Sequence, residues 1–492
     1  MYRDILKKTG TYSLATFASR AASFLLLPVY TRFLSPADYG IMELLDVTMN
    51  VVGLLVGTRI SQALFYFYFA ATNKQEKERY VSTSFAGAAL VGVLYACLTL
   101  PAAPALSGLV FGSRQYGSYL RLVFLGFAFL LPLEVGLCYM RARGCARQYV
   151  GATVGNLGVN IVLTLILIVG FGWGVKGMLT GSLVSSMLLA SLVAWKSLAP
   201  IQFSFNTRIL FRLLWYSAPL GLSGLAVFLI HYGDRMFLRS SVSLTDLGIY
   251  SLAYKIGMVI ANVHAPFLLH WNAQVCAIMR RPEGERVYVR TCTYVTAALT
   301  LVAVGLSIFI QPVLRVMAGP AFFPAAALVP WLAAAYVIRA LGAHLQGVFV
   351  ASGRPGLEAR VNTVGSLACL AAYAVLIPRF KLWGAVAATV IGFTVILVYG
   401  FWEAQRVRAF QFEYGRLARI ASFGIATVGL FQWVRPANMW MQAALGCLFS
   451  GAFLAAVWAA CLDSEERSSV ARALSEVRQK MFSRKETADV VA

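Results

Sequence analysis

The chain has 492 residues, of which 59% are hydrophobic and only 13% charged, and its formal net charge is +22 at pH 7. With a mean hydropathy of +0.72, this composition excludes a string of soluble domains and indicates a membrane protein with many spans. Nucleic-acid binding is not needed to explain the basic excess, because the distribution of lysine and arginine along the chain indicates topology.

Apolar stretches of about 20 residues, the length that crosses a hydrocarbon core, recur along nearly the whole chain. The first follows a short basic segment and lacks a small-residue cleavage site, so we interpret it as a retained helix and not as a signal peptide. We expect an all-α integral membrane protein with about fourteen transmembrane helices. The predicted spans are 11–33, 40–69, 81–103, 119–139, 150–170, 175–195, 211–237, 247–271, 289–312, 326–351, 359–378, 382–402, 416–434 and 439–461.

Lysine and arginine are concentrated in alternate loops, such as the loop with Lys74 and Arg79 and the loop with Arg280 and Arg281. The positive-inside rule then places both termini in the cytoplasm. In the basic tail at 463–492, apolar residues recur at helical spacing. This pattern suits a helix on the inner membrane surface, and a solvated tail is the alternative.

The chain contains an internal duplication. Segment 35–41 reads SPADYGI, and 208 positions further on segment 243–249 reads SLTDLGI; likewise TVGNL at 153–157 returns as TVGSL at 363–367. Because each copy holds an even number of spans, we expect two parallel six-helix repeats plus two C-terminal helices. The predicted domains are a first bundle at 1–200, a second at 201–405, two added helices at 406–462 and the tail at 463–492.

Four basic residues lie within predicted spans, where a charge is costly and is usually functional. Guanidinium groups bind phosphate oxygens bidentately, so we predict that these residues hold a pyrophosphate or sugar acids. The alternative is that Arg20 and Arg59 are neutralised by Glu43, Asp46 or Glu134 and only hold helices together. The predicted substrate-binding residues are Arg20, Arg59, Lys255 and Arg339.

Carboxylates within or near the spans are candidates for a proton or sodium site that couples transport to an ion gradient. His231 lies one turn from Asp234, which favours such a site, whereas a salt bridge of Asp234 with Arg235 or Arg239 is the plainer interpretation. Neither the cysteines nor the histidines have metal-ligand spacing, so we expect no metal and no other cofactor. The candidate coupling residues are Glu43, Asp46, Glu134 and Asp234.

Several segments resemble one known family. They are the PVYTRFLSPADYG stretch at 28–40, Asp234–Arg235, the GIYSLAYKI stretch at 248–256 and WGAVAAT at 383–389. In these segments the chain is similar to the polysaccharide-type flippases of the multidrug/oligosaccharidyl-lipid/polysaccharide exporter superfamily. The resemblance implies a protein of the bacterial inner membrane that moves undecaprenyl-pyrophosphate-linked oligosaccharides from the inner to the outer leaflet by alternating access.

We therefore expect a flippase and not an enzyme. Its expected partners are the lipid-linked oligosaccharide, membrane lipids and proteins of polysaccharide polymerisation and export. A cation-coupled exporter of drugs or metabolites with the same architecture is the alternative, although it is expected to have an acidic cavity. A non-transporting scaffold of a polysaccharide assembly complex is the third possibility.

Overall fold

A computed structural model describes residues 26–56, 60–464 and 466–468, and within these ranges the chain is built from helices without strands. The fold is therefore the all-α membrane fold expected from the sequence. The helices of the first part are α1 (Leu27–Phe33), α2 (Pro36–Val56), α3 (Ile60–Ala70), α4 (Lys74–Phe111), α5 (Gly117–Ala142), α6 (Ala146–Leu165) and α7 (Gly174–Leu198).

The second part continues with helices of similar length. They are α8 (Thr207–Ser241), α9 (Leu244–Gly257), α10 (Val259–Met279), α11 (Gly284–Met317), α12 (Ala325–Ala351), α13 (Pro355–Val407), α14 (Tyr414–Val434) and α15 (Met439–Cys461). Among the described residues, 10 helices are long and apolar enough to cross a membrane. The described residues of the predicted spans from 40–69 onward fall on helices. Most of span 11–33 lies outside the described residues, so the count of fourteen stays a prediction.

Two predicted spans, 359–378 and 382–402, are joined in α13, which reverses direction at Lys381 (φ 51°, ψ −124°). The two arms pack closely, because a Cβ on Gly384 would lie 2.2 Å from the carbonyl oxygen of Leu376. Further along the arms, a Cβ on Gly392 would overlap the sulfur of Cys369. The reversal therefore depends on glycines that let the two arms approach.

The described residues form two compact units. Unit 1 contains the residues up to Ala253 with Leu314–Ala325 and Asn362–Gly392, and unit 2 contains Tyr254–Val313, Ala326–Val361 and the residues from Phe393 onward. The two units are defined by which residues contact each other in space, whereas the predicted domains follow the internal duplication of the sequence. The domain boundaries stay a prediction.

The two C-terminal helices pack on α11 in unit 2. Ile308 of α11, Ile420 and Phe431 of α14 and Phe453 of α15 are buried in one apolar cluster. Close contact is possible because α15 presents Gly446, whose Cβ would lie 2.7 Å from the side chain of Ile308. Each apolar side chain of this size is stabilised by roughly 1.5–3 kcal/mol when it is buried instead of exposed to water. Where the alternative surroundings are lipid, close packing between the helices stabilises the contact instead.

The duplicated motifs begin α2 and α9, and both use the same N-terminal cap. The hydroxyl of Ser35 donates to the Asp38 carboxylate at 2.8 Å and accepts from the Asp38 backbone N–H at 3.2 Å. Ser243 and Asp246 repeat the pair at 2.8 Å and 3.1 Å. These reciprocal bonds satisfy N–H groups that a helix start leaves open, so each motif fixes the start of its helix.

The two motifs also contact each other within unit 1. A Cβ on Gly40 would lie 2.0 Å from the carbonyl oxygen of Leu244, and a Cβ on Gly248 would lie 1.8 Å from that of Pro36. Leu244 stands in the second motif where Pro36 stands in the first. The contact is therefore reciprocal, and we call it the glycine crossing.

Candidate functional site

A fully buried group of charged side chains lies in unit 1. Glu43 of α2 is 2% exposed, and Asp234 and Arg235 of α8 are 0% and 1% exposed. The Nε of Arg235 donates to Oε1 of Glu43 at 2.9 Å, and its Nη1 donates to Oδ1 of Asp234 at 2.7 Å. One guanidinium thus binds two carboxylates, which is how a protein keeps charges away from water at a tolerable cost.

Neutral groups complete the site. The hydroxyl of Tyr250, on α9, donates to Oδ2 of Asp234 at 2.5 Å. The Nη1 of Arg235 also donates to the backbone carbonyl oxygen of His231 at 2.8 Å. The guanidinium carbon lies 5.4 Å and 5.7 Å from the ring centres of Tyr232 and Tyr250, within the range of cation–π attraction. We call Glu43, Asp234, Arg235 and Tyr250 the arginine network.

The glycine crossing positions this network. Glu43 lies three residues after Gly40, and Tyr250 lies two residues after Gly248. Because the crossing brings the starts of α2 and α9 into backbone contact, side chains about one turn further on reach the same space next to α8. The repeated motif thereby determines where Glu43 and Tyr250 meet Arg235 and Asp234.

Two of the predicted substrate-binding residues lie in unit 2, on helices that pack together. The rings of Tyr254 and Tyr336 are in edge contact, with centres 5.6 Å apart. A Cβ on Gly257 would lie 2.9 Å from the Cβ of Leu332, so the end of α9 is pressed against α12.

Lys255 is exposed and directly follows Tyr254, while Arg339 is half-buried and lies three residues after Tyr336. Both basic side chains are thus carried by this contact between α9 and α12. Neither α10, nor α12, nor residues 254–257 of α9 contain an aspartate or glutamate. These stretches therefore supply cations but no carboxylates.

The other predicted residues have different outcomes. Arg20 and Arg59 lie outside the described residues. Glu43 and Asp234, two of the four candidate coupling residues, are brought together through Arg235, whereas Asp46 and Glu134 are exposed. The substrate-binding and coupling roles themselves stay predictions.

Sequence reasoning missed the partner of Glu43 and the part played by Tyr250. It considered Arg235 only as a neighbour of Asp234, and that salt bridge is present at 2.7 Å. The signal that points to the wider network is the duplication itself. Two copies of one motif that contact each other bring together the residues just after them, here Glu43 and Tyr250.

Comparison with known structures identifies the fold as that of a class of membrane transporters. The structure of the lipid II flippase MurJ in an inward closed conformation matches with a TM-score of 0.73 and 14% identity, covering 91% of this chain and 98% of that one. An inward-facing MATE multidrug transporter of the MOP superfamily matches with a TM-score of 0.67 and 19% identity, covering 79% and 94%.

The family is shown by the sequence. A family model described as polysaccharide biosynthesis protein matches residues 29–327, more than half of the chain. The chain therefore belongs to this family, and it is a multi-pass membrane protein.

Two curated relatives have related descriptions. Lsg locus putative protein 1 of Haemophilus influenzae is 26% identical over 269 residues, which cover 52% of this chain and 62% of the relative. The succinoglycan biosynthesis transport protein ExoT of Rhizobium meliloti is 24% identical over 263 residues, covering 52% and 49%. The matches thus span about half to three fifths of these relatives.

Proposed function

We propose that the protein is a flippase of the bacterial cytoplasmic membrane. It moves an undecaprenyl-pyrophosphate-linked oligosaccharide from the inner to the outer leaflet, by alternating access, for the synthesis of a surface polysaccharide. Membership of a polysaccharide biosynthesis family and a transporter fold support this class of activity. The substrate is proposed from the chemistry of the basic residues.

The observation that carries the proposal is the placement of Lys255 and Arg339. Both lie at a helix contact in unit 2, where neither residues 254–257 of α9 nor α12 contain an aspartate or glutamate. A pyrophosphate carries several negative charges, and a guanidinium and an ammonium on two packed helices match it by charge and by hydrogen-bond donors. A cationic drug, by contrast, would be repelled by these two like charges.

The arginine network has a role separate from substrate binding. Its two carboxylates are both bound to Arg235, so it serves first to hold α2, α8 and α9 together. We propose that Glu43 and Asp234 are the coupling candidates worth testing, because protonating either one would weaken its bond to Arg235.

The test begins with deletion of the gene for this protein. We expect lipid-linked oligosaccharide to accumulate on the inner leaflet while the matching surface glycan disappears, and wild-type protein to restore both. A variant with Lys255→Gln and Arg339→Gln should fail to restore them. The matched control is Arg121→Gln with Lys196→Gln, which removes two exposed charges from unit 1 and should restore transport at equal protein level.

Two outcomes would refute different parts of the proposed function. A normal glycan without any lipid-linked intermediate, in cells without a second flippase, would refute the substrate class and favour an exporter of other compounds. Full restoration by the Lys255 and Arg339 variant, with the deletion defective, would leave the flippase but refute these two residues as its phosphate ligands.

A further inference from the structure

Five aromatic residues in succession lie at the end of helix α3. The sequence reads FYFYF at 65–69, and because each residue turns the helix by about 100°, these rings lie on different sides of it. Phe67 stacks on Tyr80 of α4 with ring centres 5.3 Å apart, and Tyr68 meets Tyr139 of α5 at 5.9 Å. Packing against α4 and α5 therefore accounts for two of the five rings.

The other three rings form an exposed surface. Phe65, Tyr66 and Phe69 are 43%, 53% and 60% exposed, and the exposed residue Gln62 falls within the same arc of about 100°. The ring of Tyr216, on α8, stacks on that of Tyr66 at 4.9 Å with an angle of 16° between the planes, and Tyr216 is 38% exposed. We call Phe65, Tyr66, Phe69 and Tyr216 the aromatic shelf.

An arginine lies beside the aromatic shelf. Arg212 precedes Tyr216 by one turn of α8, so the two residues share a face of that helix. The Nη1 of Arg212 donates to the hydroxyl of Tyr80 at 3.3 Å, and its guanidinium carbon lies 5.5 Å from the ring centre of Phe67. Residues 60–70 and 207–220 contain no aspartate or glutamate. Exposed aromatic rings are thus flanked by a guanidinium that neutral groups hold in place.

The shelf lies where the two predicted repeats meet. Helix α3 belongs to the predicted bundle at 1–200 and α8 to that at 201–405, so the stacked pair of Tyr66 and Tyr216 joins the two repeats within unit 1. Transporters built from repeats hold their substrates where the repeats meet. Phe69 also ends the predicted span 40–69, close to the basic loop with Lys74. We therefore expect the shelf at the level of the lipid headgroups on the cytoplasmic side, where the proposed substrate starts.

Contact with lipid alone does not account for this surface. Gln62 is exposed roughly 10 Å further into the predicted span than Phe69, where hydrocarbon offers an amide no hydrogen-bond partner. A sugar suits both kinds of group. The C–H bonds on one face of a sugar ring are attracted to electron-rich aromatic faces, and its hydroxyls pair with amides and phenols. A guanidinium beside the sugar can bind phosphate oxygens.

We propose that the aromatic shelf and Arg212 bind the sugar phosphate of a lipid-linked glycan, with the sugar ring against the shelf and the phosphate on Arg212. This inference rests on the proposed function and adds a second binding site to it. The site is separate from Lys255 and Arg339, which lie in unit 2, and it provides recognition of the sugar that two cations do not supply.

The first experiment captures whatever covers the shelf. The full-length protein with Phe69→p-benzoylphenylalanine is expressed in the deletion strain, which is fed a radiolabelled sugar or radiolabelled glycerol and then irradiated. Ile425→p-benzoylphenylalanine is the matched control, since Ile425 is 75% exposed on α14, a predicted span. We expect sugar label on the protein with the probe at position 69. The probe at position 425 should capture only glycerol label, from phospholipid.

The contrary results separate this site from the proposed function. Absence of sugar label at position 69, while the probe at position 425 captures lipid, overturns the shelf, and glycerol label alone at position 69 shows that lipid covers it. If the surface glycan is restored without sugar capture, the flippase stands and only the shelf is refuted. If the deletion changes neither the glycan nor its lipid-linked intermediates, in cells without a second flippase, the proposed function itself is refuted.

The second experiment tests whether the shelf needs flat rings. Leucine is apolar enough to contact lipid but offers no flat face to a sugar. After induction of each variant, surface glycan should appear far more slowly with Tyr66→Leu or Tyr216→Leu than with Tyr66→Phe or Tyr216→Phe. Trp215→Leu is the control, because Trp215 is 75% exposed on a different side of α8, and it should match the wild type. Equal rates for the leucine and phenylalanine variants, at equal protein level, overturn sugar stacking.

The third experiment tests the phosphate contact of Arg212. Arg212→Gln should slow the appearance of glycan by roughly tenfold, which corresponds to the loss of one hydrogen bond to a charged group. Arg212→Lys keeps the charge and should be faster than Arg212→Gln. Arg147→Gln, which removes an exposed charge from α6, is the control and should match the wild type. A wild-type rate for Arg212→Gln overturns the phosphate contact.

Discussion

Gly248 is pressed so closely against Pro36 that a Cβ atom at position 248 would lie 1.8 Å from the Pro36 carbonyl oxygen. The equivalent residues of the other motif, Gly40 and Leu244, repeat the contact at 2.0 Å. No side chain fits in either place unless the backbone shifts. The absence of a side chain at both positions is therefore what allows α2 and α9 to cross.

Alanine at either glycine of the crossing should destabilise the protein. Overpacking in a close contact costs about 1–3 kcal/mol, and here the opposing atom is backbone, which gives way poorly. Gly126→Ala is the control, since nothing lies within 4 Å of its added Cβ, and alanine favours helix by about 1 kcal/mol there. Thermal unfolding in detergent should rank Gly126→Ala above the wild type and both Gly40→Ala and Gly248→Ala below it. Equal transitions for all four would contradict the crossing.

Loss of Arg235 should be more damaging than loss of Glu43. Arg235→Gln leaves two buried carboxylates without their cation, and breaking a buried pair in this way costs about 3–5 kcal/mol. Glu43→Gln removes one charge and keeps an acceptor for Arg235, so its cost should be smaller. Denaturation of both single variants and of the double variant gives the coupling energy. Strict additivity would show that Arg235 and Glu43 do not interact.

Glycine at position 381 should stabilise the reversal in α13. Lys381 has φ 51° and ψ −124°, a conformation that favours glycine and that costs a residue with a side chain about 1–3 kcal/mol. We expect Lys381→Gly to raise the unfolding temperature and Gly384→Ala to lower it. Arg379→Gly, an exposed helical position two residues earlier, is the control and should lose roughly 1 kcal/mol. A lower unfolding temperature for Lys381→Gly would show that its backbone is not strained.

Acid should release the segment that follows α15. Burial raises the pKa of the Glu466 carboxyl, but the Asp463 backbone N–H, the Tyr294 hydroxyl and the Arg416 charge lower it more, so this pKa lies below its ordinary value. The hydrogen bonds measure 2.8 Å from Asp463, 2.7 Å from Tyr294 and 3.2 Å from Arg416. A lowered carboxyl pKa stabilises the folded segment above the unfolded value of about 4.3, and this contribution is lost as pH falls through the folded value.

Hydrogen exchange of the Asp463 and Arg467 amides, corrected for the intrinsic rate, measures this release, because these two N–H groups donate to the Glu466 carboxylate and to the Asp463 carbonyl. Protection should be full at neutral pH, decline below about pH 4 and be weak at all pH values in Glu466→Gln. Glu283→Gln, at an exposed carboxylate in the turn before α11, is the control. Protection in Glu466→Gln equal to that of the wild type would show that the carboxylate does not anchor the segment.

The helices were predictable because the signals for them are local. Length and hydropathy alone place the spans, and the glycines and the proline at 378 mark the reversal near Lys381. The arginine network was not predictable in the same way, since Glu43 and Arg235 are 192 residues apart and their meeting depends on how α2 rotates against α8.

The glycine crossing also has a consequence for how such a chain arises. The glycine of each motif packs against a backbone carbonyl of the other motif. The contact is therefore isologous, as are the contacts across the two-fold axis of a symmetric dimer. A single unduplicated copy would carry both surfaces and would match a second copy of itself. Gene fusion would then preserve an interface that already existed between separate subunits, and neither motif would be free to gain a side chain alone.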